Sequence, residues 1–143
     1  MTTAKEIMHP GAACVTGEQT LGDAARMMRE RGVGALPICD ENQKLLGIVT
    51  DRDIVLRCVA DGRDPGTVKC LELALGRPMV IEEDEDAELV LSVMEDHRVR
   101  RLPVINHPDH KLVGMISEAD IARHLPQERV AEFVTAVTAV TSH

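Results

Sequence analysis

The chain has 143 residues, a formal net charge of −8 and 44% hydrophobic residues, yet Phe133 is its one aromatic side chain. That balance argues against a binder of nucleic-acid backbones, which needs clustered cations and preferably stacking rings. No stretch approaches the roughly 18 apolar residues of a membrane span, and the N-terminus lacks the basic-then-apolar pattern of a signal peptide, so a soluble cytoplasmic protein is expected.

In chain order, Thr3-Ala-Lys-Glu6 reads as a capping box opening a short helix that ends near Met8. His9-Pro10-Gly11 breaks it, and Ala12 to Val15 reads as a strand. Thr20 caps a helix whose Leu21, Ala24, Ala25 and Met28 share one face. Gly32 and Gly34 end it. Ala35–Cys39 and Leu45–Val49 read as the strands of a hairpin, turned by the polar run 40–44. A second helix runs from Asp51 to about Val59, and Asp61–Gly66 is a linker of turn formers.

The second half repeats this order. Thr67 is placed to cap a helix over Val68–Leu75, closed by Gly76 and Pro78, and a strand follows at Met79–Ile81. The acidic run Glu82–Asp86 suits a solvated loop before a helix start. Helix, hairpin and a last helix to His124 follow. Pro126 restarts a helix with an apolar stripe of Val130, Phe133, Val134, Val137 and Val140. Nothing in the repeat supplies this tail with a partner, so it is expected to cover an exposed face of the pair or a neighbouring subunit.

The repeat is explicit in one motif. Leu46-Gly-Ile-Val-Thr50-x-x-Asp53 recurs 67 residues on as Val113-Gly-Met-Ile-Ser117-x-x-Asp120. Each copy is a buried strand running into a helix, with the hydroxyl at the cap and the carboxylate at the third helical position. The helix mouth offers free N–H groups and partial positive charge, which suit an anion such as phosphate. The same residues also form a capping box, which needs no ligand. Ala35-Leu-Pro-Ile38 recurs as Arg101-Leu-Pro-Val104. Roughly 60 residues bury proportionally little surface, so neither half is expected to close a core alone.

Taken together, helix, strand, helix, hairpin and helix given twice, with Leu-Pro and Gly-x-x-Thr/Ser-x-x-Asp in fixed places, resemble a tandem pair of CBS (cystathionine-β-synthase-type) domains over about residues 3–125. The resemblance implies an α/β (α+β) fold of two pseudo-two-fold-related domains, 1–64 and 65–125, followed by a helical tail, 126–143. It also implies a non-enzymatic regulatory module, commonly dimeric, that binds AMP, ADP, ATP or another adenosyl ligand in clefts between the halves. Thr50, Asp53, Ser117 and Asp120 then match the family's ribose and phosphate positions. Arg101, with Arg100, precedes Leu-Pro as a phosphate clamp; pairing with surface acids is the plainer reading of both. Gly34 and Ala35 occupy the matching places of the first half, where Arg52 offers the charge, so the two sites are not equivalent.

Cys14, Cys39, Cys58 and Cys70 show no Cys-x-x-Cys spacing, and sequence alone leaves their pairing open. The resemblance, to a stress-induced member of the family, implies a Cys14–Cys39 disulfide. It also implies zinc at His97 and His124, completed by waters or another chain. A redox- or zinc-responsive stress protein with empty nucleotide clefts is therefore the competing reading, and the effector protein stays unnamed. No nucleophile–base pair or carboxylate dyad supports an enzyme.

Overall fold

The computed structural model describes residues 2–11, 13–74 and 78–139. It contains α1 (Ala4–Ile7), β1 (His9–Pro10), β2 (Val15–Thr16), α2 (Leu21–Arg31), β3 (Ala35–Cys39), β4 (Leu45–Thr50) and α3 (Asp51–Ile54). It continues with β5 (Ile81–Glu82), α4 (Ala87–His97), β6 (Arg101–Ile105), β7 (Leu112–Ser117), α5 (Glu118–His124) and α6 (Gln127–Thr138). The helix begun by α3 runs on through π-type turns over Val55–Val59. The helix expected over 68–75 is instead a single 3₁₀ turn, Cys70–Leu73, capped from Lys69 rather than Thr67. Thr67 turns back locally, its hydroxyl donating to the Asp64 carbonyl at 3.1 Å. The expected stop at Gly76 and the stripe residue Val140 lie outside the described residues.

The chain forms two compact units, one of Met1–Gly11, Met79–Asp109 and Val113–His143, the other of Ala12–Pro78 and His110–Leu112. Each compact unit thus draws on both sequence repeats, 1–64 and 65–125. The reason is an exchange of leading turns. Ala4 and Ile7 of α1 are fully buried in a core with Val90, Leu91, Leu102, Val104 and Ile116. Their counterparts 66 residues on, Cys70 and Leu73, are buried in a core with Val15, Leu21, Leu36, Ile38 and Val49. Each repeat's opening turn thus closes the other repeat's core. The bridges Thr3↔Asp86 and Thr20↔Lys69 mark the two equivalent junctions.

In the unit of residues 12–78, β2 pairs parallel with β3, and β3 antiparallel with β4, bringing Ala35 opposite Thr50. In the other unit the strand order is β1-β7-β6-β5. There β5 pairs parallel with β6, and β1 caps the edge by pairing antiparallel with β7. The tail helix does find a partner in its own unit: α6 packs on α4 and α5 and buries Phe133 completely and Val137 nearly so. Arg129 fastens it with a two-pronged pair to Glu95 (2.8 and 3.0 Å) and a bond to Glu88 (3.1 Å). Val134, on the expected stripe, remains exposed.

Candidate functional site

Two strand-to-helix corners carry the repeated motif. At the first, β4 delivers Thr50 to the cap of α3. Thr50 Oγ1 accepts from the Asp53 N–H (3.0 Å), and Asp53 Oδ2 accepts from the Thr50 N–H (3.0 Å). The box fixes both side chains without using them up. Asp53 Oδ1 and the Thr50 hydroxyl proton have no partner among the described residues. Both residues are half-buried. Arg52 is exposed beside them, and a shallow depression is lined by Asp51, Arg52, Val55 and Leu56.

At the second corner, β7 delivers Ser117 to the cap of α5. Asp120 Oδ2 accepts from both the Ser117 N–H (2.9 Å) and the Ser117 hydroxyl (3.0 Å), and Ser117 Oγ accepts from the Asp120 N–H (3.4 Å). Asp120 Oδ1 takes the guanidinium of Arg123. Asp120 is 2% exposed and the one charged residue in the described buried set. Arg123 was not among the residues expected to matter. Its position three residues after Asp120 on a helix was the available signal, because such spacing puts two side chains together.

The basic cluster is only partly drawn in. Arg100 Nε lies 3.7 Å from Glu118, the loose surface pairing foreseen for this segment, although with an acid other than the 82–86 run. Arg101 is exposed at the first residue of β6, its guanidinium without a partner among the described residues.

His97 and His124 close α4 and α5. In each, ring Nδ1 lies within hydrogen-bond distance of the carbonyl four residues back, Val93 at 2.9 Å and Asp120 at 2.8 Å. In the tautomer that donates from Nδ1, Nε2 keeps its lone pair, the arrangement a metal ligand needs. Among the described residues, no three His, Cys, Asp or Glu side chains group as a metal site.

Cys14 and Cys39 are adjacent, Sγ to Sγ 2.7 Å, because Val15 pairs with Ile38 next door. The contact with Cys39 holds the Cys14 thiol below its ordinary pKa, against the opposing effect of burial. The same contact, then burial, pushes the Cys39 thiol up. Cys58 and Cys70 are buried, as expected; burial and the charge of Asp23 push Cys70 up to about 11, an unreactive thiol.

The exchanged turns, the sheet within each unit and two copies of a capped strand-to-helix corner define the class: the chain belongs to the CBS domain family, which matches residues 4–59 and 72–127. Hypoxic response protein 1 of Mycobacterium tuberculosis is 47% identical over 137 residues, covering 96% of this chain and 94% of that protein. A crystal structure of Hypoxic Response Protein I with two coordinated zinc ions superposes with a TM-score of 0.80 at 48% identity, covering 87% of this chain and all of that one. CBSX2, crystallised in complex with AMP, shares the fold at a TM-score of 0.74 and 24% identity, over 86% of this chain and 95% of its own. No helix among the described residues is long and apolar enough to cross a membrane.

Proposed function

We propose that this protein is a non-enzymatic regulatory CBS pair that binds an adenosine-containing ligand, works as a homodimer and signals to an effector protein in a stress or energy response. The observation that carries this is the corner at Thr50. There a fixed carboxylate has one oxygen to spare for a ribose hydroxyl, and a fixed hydroxyl has its proton to spare for a phosphate. Arg52 beside it supplies a cation for phosphate; Arg101, exposed at the start of β6, is a separate cation in its own unit. The ligand acts by binding one arrangement of the protein more tightly than another. The exposed apolar side chains of Val55, Leu56 and Val59 support self-association.

A thermal-shift panel of AMP, ADP, ATP, NADH, S-adenosylmethionine and zinc tests this. A ligand at 100 times its Kd adds about 2.7 kcal/mol of stability, a readily measured rise in Tm. Asp53→Asn should abolish the rise given by the nucleotide. A panel without any adenosine-dependent rise refutes the reading.

The adjacent sulfurs of Cys14 and Cys39 favour a second reading, a redox- or zinc-responsive stress protein. The side chains are placed for a disulfide with little movement of the strands that carry them. His97 and His124 would hold zinc through Nε2, and zinc there would act as a structural clamp. Two imidazoles are half of the usual four ligands, so waters or another copy would complete the site. Thiol titration before and after reduction, with metal analysis of the purified protein, decides it. Four titratable thiols in the untreated protein and no zinc would reject this reading.

A further inference from the structure

We infer that Arg123 is an internal occupant of the Asp120 carboxylate, which closes the Ser117 corner to ribose and leaves the protein with one working adenosine site per chain, at Thr50. This rests on the adenosine-binding reading above. A ribose diol is recognised when its hydroxyls donate to a fixed carboxylate. At Asp120 both oxygens already serve the chain's own donors: Oδ2 takes the Ser117 N–H and hydroxyl, and Oδ1 faces the charged Arg123 guanidinium. A hydroxyl entering there would replace a charge-assisted bond with a neutral one, a net loss. The Ser117 hydroxyl proton is committed as well, so the cap side chain has none to donate to a phosphate.

The corner at Thr50 lacks this plug for one reason. The residue three positions after Asp53 is Leu56, which has no donor to offer. The other parts of the two corners match: strand, hydroxyl cap, carboxylate at the third helical position, and the two-way hydrogen bond between them. Arg123 keeps 58% of its side chain exposed and, among the described residues, bonds Asp120, so its removal disturbs little packing.

Calorimetry with AMP and ATP on the full chain tests this, using Asp53→Asn, Arg123→Leu, Arg123→Gln and the double variant Asp53→Asn/Arg123→Leu. The parent should bind one ligand per chain, and Asp53→Asn none. Either Arg123 substitution should raise the count to two, with affinity at the freed corner up by about 10-fold or more. The double variant should return the count to one. Arg123→Gln keeps a polar side chain at the surface and covers the case in which leucine harms folding. Two sites in the parent, or a count still at one in both Arg123 variants, overturns the inference while adenosine binding stands. No binding by any of the five proteins overturns adenosine binding and this inference together.

Discussion

Two turns of the same length, 66 residues apart, close two cores in different ways. Ala4 and Ile7 do it from an α-helical turn capped by Thr3 and Glu6; Cys70 and Leu73 do it from a 3₁₀ turn whose cap pairs Lys69 with Glu72. Each ends on the residue that meets the central glycine of a return strand: Met8 lies on Gly114, and Ala74 on Gly47. The unit built on β6 and β7 then receives one more layer, α6, with the protein's one aromatic ring at its centre. The unit built on β3 and β4 has no such layer and fills its core with aliphatic side chains and two thiols, Cys58 and Cys70. The repeat therefore specifies a shared frame, while segments outside the frame set how securely each unit is closed.

Phe133→Ala should break the comparison most sharply. It empties a fully buried ring site in the core of one unit. The expected cost is about 3–5 kcal/mol. Hydrogen exchange should show amide protection lost in α4, α5 and β6 while β3 and β4 stay protected. Equal loss in both would show that the units unfold as one.

The paired glycines come next. An added Cβ at Gly114 would lie 2.6 Å from Met8 Sδ and 2.7 Å from the His9 carbonyl oxygen. At Gly47 it would meet Ala74 Cβ at 2.9 Å. A carbonyl held in the β1–β7 ladder cannot retreat as a methyl group can. Gly114→Ala should therefore cost about 1–3 kcal/mol, and more than Gly47→Ala, in denaturant melts.

Ion pairs sharpen the contrast further. Arg129 and Glu95 fasten α6 with under a fifth of either side chain exposed, whereas Arg63 and Glu72 beside the 3₁₀ turn are more than two-fifths exposed. The Arg129 hydrogen bond lowers the pKa of Glu95, against the opposing effect of desolvation. A lowered folded-state value means stability that is fully present above the ordinary glutamate range and is lost as pH falls through the folded value. Glu95→Gln should cost about 1–2 kcal/mol at neutral pH and remove that part of the acid sensitivity. Glu72→Gln should change little, and less still in high salt. Melts at pH 7 and pH 3.5 would check both.

The smallest effect concerns helix ends. α2 stops on Gly32 at φ 66°, and α4 stops on Arg98 at φ 54°. Glycine adopts this left-handed conformation freely and arginine does not. Arg98→Gly should raise stability by about 0.5–1 kcal/mol, seen as a slightly higher denaturation midpoint.

Much of the candidate site is legible in the residues alone. Thr50, Asp53, Ser117 and Asp120 announce themselves because a capping box is local: residues three apart make both of its bonds. The β3–β4 hairpin and the helices α2 and α4 were legible for a similar reason, since periodicity and turn residues act over a few positions. The 3₁₀ turn at 70–73 was overestimated as a full helix, because propensity does not register how little chain the core there can take up. The adjacency of Cys14 and Cys39 needed strand register, and the closure of Asp120 needed the direction taken by one arginine side chain.

By itself, then, the sequence determined that there are two copies of one frame, where each strand hands over to a helix, and which hydroxyls and carboxylates stand at those corners. Only the tertiary structure decided which opening turn closes which core. Ala4 and Ile7 could fill the same kind of gap as Cys70 and Leu73, and burial of apolar surface is not directional. It likewise decided that Asp53 keeps an oxygen in reserve while both oxygens of Asp120 are engaged, because a surface arginine finds its partner only once the helix is formed and the carboxylate is held in place.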